Sequence, residues 1–327
     1  MIDTGGAWVL PYNAALPSRL AAEAPGRLVL DLGETLLSTE AIARLSAQHR
    51  GWRAAGWVLS YAAGRSVTRG ALVVALHQAG DTDTVVVASV AQAAAALSAG
   101  QRRLPDALDG LSVVGVSPSA RPSTWQTRTL AVGFNWVSSL QRGYKTPFLE
   151  TMLRTYGVDG MPQLGPALES VLAELDATEG ELCAQVLASF ASLGKGCPFC
   201  AYGHLYAADL LHFEATGELC PIDPAEMPEA RAWVDDEVRA WATARLTGPV
   251  WGPIAPKVAR LQALHCGAVV PSASDALLQR LLWTWTLISE CSLQTPISSA
   301  PPLHPRMARA RRLQRAYRAA RVRARVA

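Results

Sequence analysis

Gly194-Lys195-Gly196-Cys197-Pro198-Phe199-Cys200-Ala201-Tyr202-Gly203-His204 reads as a turn between two helices followed by the first turns of the second. The run before it, residues 181–193, repeats apolar residues at helical spacing until Gly194 and Gly196 interrupt it. Pro198 suits the first turn of a new helix, where its missing N–H has no intrahelical partner to lose. At about 100° per residue, Cys197, Cys200 and His204 then fall within roughly 60° of one another on one face. The unpaired N–H groups and positive end of a helix favour thiolate at both cysteines. His204, one turn beyond Cys200, is placed to exchange a proton with its sulfur.

Outward from this segment the second half of the chain is helical, with predicted helices at 164–175, 201–213, 228–245, 254–265 and 274–291. Gly217, Pro221, Gly248-Pro249 and Gly252-Pro253 punctuate the gaps. The first 120 residues alternate instead. Unalternated Val/Leu runs at 7–11, 28–31, 57–61, 84–88 and 112–116 suit strands buried on both faces, and helical patterns at 14–24, 39–50, 67–78 and 90–101 lie between them. Ser38 or Thr39, with Glu40 in the first turn, caps the second of these helices. The expected fold is an α/β N-terminal layer (1–120), a Ser/Pro/Arg linker (121–130), an all-α domain (131–300) and an Arg-rich C-terminal helix (301–327).

Composition agrees with two packed domains: 327 residues, half of them hydrophobic and 17% charged, leave no case for disorder over most of the chain. No run has the ~20 strongly apolar residues of a membrane span. Residues 1–20 lack a basic stretch ahead of the apolar ones, and six cysteines are too few for a disulfide scaffold, so a reducing cytoplasm is the expected compartment. No Gly-rich phosphate or dinucleotide loop follows any predicted strand, which disfavours a nucleotide-binding enzyme.

The cysteine pair admits several chemistries. Structural zinc needs four ligands, and Cys183, Cys220, His212 and Cys266 are scattered without a second pair. A thioredoxin-type redox helix follows a strand, whereas a helix precedes this motif. Thiol redox chemistry and a pair of inert core cysteines remain.

The arrangement resembles the alkylhydroperoxidase AhpD-like, or carboxymuconolactone decarboxylase, family, in which a helix leads into Cys-x-x-Cys-x-x-x-His at the start of the next. The resemblance rests on Cys197, Cys200 and His204 and covers about residues 164–213. It implies an all-helical domain that usually oligomerises and a thiol chemistry that uses no bound cofactor; with no second ligand pair, no metal is expected either. Cys200 would attack a hydroperoxide, Cys197 would resolve the sulfenic acid as a disulfide, and His204 would belong to a proton relay. Redox-active members carry a glutamate twelve residues before the first cysteine, where this chain has Gln185; glutamine orients a water but takes no proton. Glu181, one turn earlier on the same face, is the available carboxylate.

The N-terminal layer resembles the STAS domain of anti-sigma-factor antagonists over residues 8–97, through Leu28-Val29-Leu30-Asp31-Leu32 and Leu36-Leu37-Ser38-Thr39-Glu40-Ala41-Ile42. In that family the turn carries a phosphorylatable serine that controls partner docking. Here Thr39 takes that place beside Ser38, in a turn one residue shorter that lacks the family's preceding Asp and its Gly. Two functions follow. One is a thiol-dependent oxidoreductase of the alkylhydroperoxidase type. The other is a non-catalytic regulatory or scaffolding protein that oligomerises through its helical domain and docks a protein partner through the STAS-like one.

Among other features, Trp283 and Trp285 cannot share a helix face, so one is expected inside and one at an interface. Trp233 and Trp241 are expected to stack, and Asp235-Asp236-Glu237 to form a solvated face. His265-Cys266 and Glu290-Cys291 carry no assigned role. Residues 306–325 hold nine Arg and no acid; without them 21 basic side chains face 27 acidic ones, about −6. Ala310, Leu313, Tyr317, Ala320 and Ala324 give the tail a thin apolar stripe. Docking onto the acidic body of the same or a neighbouring subunit is expected, ahead of nucleic acid; the stripe is too poor in bulky residues for a membrane.

Overall fold

The structure, a computed structural model, describes all residues except 1, 4–6, 13–19, 21–22, 36, 82, 101–123, 231–232, 234, 293–299 and 327. The predicted helix at 14–24 and strand at 112–116 lie largely or wholly outside them. The described chain is mostly helical, with a small sheet near its N-terminus.

Strands β1 (Ile2–Asp3), β2 (Ala7–Pro11), β3 (Arg27–Asp31), β4 (Val58–Ala62) and β5 (Val85–Val87) lie in sequence order; β1 is antiparallel and the other four are parallel. Helices α1 (Thr39–Ala54), α2 (Ser66–Gln78) and α3 (Val90–Ser98) follow β3, β4 and β5. Alternate residues of β3 serve two cores: Leu28 and Leu30 join Leu45, Leu72 and Leu76 of α1 and α2, while Val29 joins Ala93 and Leu97 of α3. Burial on both faces is what the unalternated apolar runs require.

The second layer is helical: α4 (Thr124–Arg142), α5 (Leu149–Glu179), α6 (Glu181–Gly194), α7 (Pro198–Thr216), α8 (Met227–Ala230), α9 (Asp235–Arg245), α10 (Gly248–Trp251), α11 (Ala255–Cys266), α12 (Ala276–Ser292), α13 (Pro305–Arg309) and α14 (Arg311–Val326). The α6–α7 hairpin is its centre; every residue of α6 from Cys183 to Gly194 is buried. Trp233 and Trp241 meet edge to face, as expected.

Three boundaries differ from the sequence reading. The expected linker 121–130 is helical from Thr124, because Thr127 and Ala131 have a core to bury into. α5 begins at Leu149 rather than 164 and continues through Pro162 and Pro166, so tertiary packing outweighs the proline penalty. The predicted helix 228–245 is two, α8 and α9.

The two layers touch through glycine. A Cβ on Gly70 of α2 would stand 2.8–2.9 Å from backbone atoms of Gly194 and Lys195, the turn that precedes Cys197. A Cβ on Gly267 would stand 2.2 Å from Val87 of β5. The sheet layer therefore buttresses the cysteine-bearing turn directly.

Candidate functional site

Cys197 is the N-cap of α7, with extended backbone, and its sulfur accepts the N–H of Cys200 at 3.2 Å. Pro198 occupies the first turn, as its fixed φ favours. The sulfurs of Cys197 and Cys200 lie 2.7 Å apart, both as free thiols, against the roughly 2.05 Å of a formed bond. Burial pushes Cys197 up, but the Cys200 thiol, Ser292 and the backbone N–H groups of Cys200 and Phe199 donate to it and bring its pKa below the usual cysteine range. Burial and the neighbouring Cys197 sulfur push Cys200 well above it. Of the two thiols, Cys197 therefore gives up its proton the more readily. Cys183, buried without such donors, is driven up to about 11 by burial.

His204 sits one turn along from Cys200. Its Nδ1–H donates to Oε1 of Gln185 at 2.8 Å, since an amide oxygen can only accept. This fixes the tautomer and leaves Nε2 with the lone pair. Full burial depresses the imidazole to about 3, with His304 adding repulsion, so His204 is neutral at physiological pH. Its ring packs at 5.3 Å against Trp285.

Cys200 and His204 open onto a cavity of about 380 Å³. Phe134 and Val137 of α4, Phe148 and Met152 of the α5 end, Trp285 and Ile288 of α12, and Leu303 make it mostly apolar; Tyr144 and Arg142 stand among the polar lining groups. Cys197 is fully buried behind Cys200. Leu303 arrives from the C-terminal segment: its N–H donates to the Gly203 carbonyl at 2.9 Å, and a Cβ on Gly203 would meet its Cγ at 2.5 Å. Glycine at 203 is thus required by a close approach of chain to chain.

The remaining sequence-derived residues fall elsewhere. Glu181 does not reach His204. It is half-exposed, ion-paired to Arg306 at 3.1 Å and 3.6 Å from His304, which turns it toward the tail. Ser38 is exposed and its Oγ accepts the Ala41 N–H at 3.1 Å, an N-cap. Thr39 is the first residue of α1; its side chain lies outside the description, as does that of Glu290. Trp283 and Trp285 are both buried, correcting the expectation that one meets an interface: the helix that carries them is enclosed on several sides. His265 backs the Gly194 turn, away from the cavity lining. Cys291 shares the hydrophobic cluster of Cys197 and Cys200. Sequence reasoning missed Ser292, Trp285 as the partner of His204, and Leu303; each comes from a segment distant in the chain, and no local pattern marks them. Among the described residues no three His, Cys, Asp or Glu side chains gather as metal ligands, and no helix is long and apolar enough to cross a membrane.

The tail docks on its own chain. Arg321 pairs with Asp209 of α7, which also accepts the Tyr317 hydroxyl at 2.6 Å and is completely buried. Arg325 binds Asp223 at 2.7 Å, and Arg306 pairs with Glu214 as well as Glu181. Tyr317 packs with Tyr206, Leu210 and Leu211.

No protein-family model, curated protein or solved structure matches this chain.

Proposed function

We propose that the chain is a thiol-dependent oxidoreductase of the alkylhydroperoxidase, AhpD-like type, acting on hydroperoxides with an apolar substituent. The observation that carries this reading is the paired sulfurs of Cys197 and Cys200, with Cys200 and His204, but not Cys197, facing a mostly apolar cavity. The depressed pKa belongs to the inner sulfur, and the reading uses that order. Once Cys197 has lost its proton to solvent, Cys200 passes its own to the Cys197 thiolate across 2.7 Å as substrate enters. The Cys200 thiolate attacks the terminal peroxide oxygen; the S–O bond forms, the O–O bond breaks, and the alkoxide takes the proton back from Cys197. The restored Cys197 thiolate displaces hydroxide from the Cys200 sulfenic acid, giving the disulfide, and a proton from solvent makes water. A dithiol reductant returns both thiols. His204, neutral with Nε2 free, orients the peroxide and exchanges protons at the cavity wall.

A regulatory reading, in which a STAS-like layer docks a protein partner and the helical layer merely assembles, is favoured by Gln185, which occupies the place of a base and cannot act as one. Stoichiometric alkyl hydroperoxide followed by thiol mapping separates the two: the oxidoreductase forms a Cys197–Cys200 disulfide, and the regulatory protein keeps both thiols.

A further inference from the structure

Helix α4 is apolar on two opposite faces. Phe134, Val137, Ser138 and Gln141 line the cavity. On the other side Trp125, Val132, Trp136 and Leu140 are exposed by 69, 70, 65 and 59%. At 100° per residue these four lie within roughly 80° of one another, a stripe about 22 Å long. An apolar helix face is ordinarily covered, and among the described residues nothing covers this one.

Charge indicates what covers it. α4 has no acid of its own, and its Arg128 and Arg142 pair with Glu150 and Glu169 of α5, so the unpaired positive charge beside it lies on α14. At the C-terminal end of α4 Arg309 donates to the carbonyls of Leu140 and Gln141, so α14 starts beside it. On α14, Arg311, Arg312, Arg315, Arg318 and Arg323 fall within roughly 140° of one another, all exposed and without an ion pair among the described residues. The tail's own apolar stripe is occupied by α7, but α4 supplies the bulky Trp and Leu that a membrane-surface helix presents. A second copy would bring a second acid-free helix and a second set of arginines against the first. An anionic lipid surface attracts each of them instead, by roughly fivefold in affinity per basic residue.

We propose that the outer face of α4 seats on an anionic lipid bilayer, with the free arginines of α14 supplying the electrostatic attraction. The inner face of the same helix would then set the cavity directly beneath the lipid surface. The docking is independent of the thiol reading, and its test involves no thiol readout.

The test sediments the full-length protein with vesicles of phosphatidylcholine alone and of phosphatidylcholine with phosphatidylglycerol, at low and high salt. The expected result is binding to the mixed vesicles with a blue shift of tryptophan emission, weakened at least tenfold by salt. Trp125→Ser with Trp136→Ser should lower partitioning at least tenfold with unchanged circular dichroism. Arg311→Ser, Arg315→Ser and Arg318→Ser together should lower binding to mixed vesicles by a similar factor. Failure to sediment with mixed vesicles, or equal binding by the tryptophan variant, overturns the proposal. So does a dimer in light scattering that the tryptophan variant splits, which would give the face to a second copy.

Discussion

Gln185 holds the Nδ1–H of His204 at 2.8 Å, and this one contact both fixes the imidazole tautomer and denies it a proton acceptor on that side. A carboxylate in the same place would stabilise the imidazolium that forms when Nε2 takes a proton, and so make His204 a stronger base. Gln185→Glu is therefore expected to raise the rate of thiol oxidation by roughly tenfold or more, within the range of general acid–base effects. The position is only 3% exposed, so the new charge should also lower the melting temperature. Stopped-flow oxidation by an alkyl hydroperoxide, beside a thermal melt, checks both.

His204 also sets an acid limit on stability. Its folded pKa is about 3, against roughly 6.5 in an unfolded chain, so between these values the unfolded state binds the extra proton. Stability is full above pH 6.5 and should fall by about 1.4 kcal/mol per pH unit toward pH 3 from this group alone. His204→Phe should flatten that part of a urea-denaturation profile measured against pH.

Asp81 acts further down the scale. Burial opposes its charge, but His49 at 2.7 Å and the Thr84 N–H and hydroxyl hold its carboxyl well below the usual range. That contribution is present above about pH 4 and is lost as pH falls further. Asp81→Asn should cost about 1–3 kcal/mol at neutral pH and nearly nothing at the acid end.

Arg321 and Arg318 share a helix and differ in consequence. Removing Arg321 leaves the carboxylate of Asp209, 0% exposed, with only the Tyr317 hydroxyl and the Cys220 N–H and no countercharge, and is expected to cost about 3–5 kcal/mol. Arg318→Ala should stay within about 0.5 kcal/mol. Chemical denaturation of the two variants compares them directly.

Gly70→Ala tests the buttress between the layers. Its Cβ would press on the backbone of Gly194 and Lys195, which cannot swing aside as a side chain can. A loss of about 1–3 kcal/mol is expected, with altered reactivity of Cys197 and Cys200 toward an alkylating agent although the substitution lies in the other layer.

The α/β-then-α order and the helix start at Cys197 were legible in the sequence because each is written locally, in unalternated apolar runs and in a proline after a glycine pair. Gln185 was legible as a position, whereas the surroundings of Glu181 were not. Helical spacing puts Glu181 on the same face, yet says nothing of Arg306 and His304, which arrive from more than a hundred residues away. The acidic body predicted the docking of the tail, while its particular pairs with Asp209 and Asp223 depend on how α7 and α14 pack. Leu303 and Trp285 complete the site through tertiary contact alone.

The central claim is that Cys197 and Cys200 work as one redox pair, and mass mapping of thiols after one equivalent of an alkyl hydroperoxide tests it most directly. The account predicts a Cys197–Cys200 disulfide, reversed by a dithiol and absent from Cys200→Ser, with Cys183 and Cys220 still free. Recovery of Cys197 and Cys200 as free thiols after that treatment would contradict it.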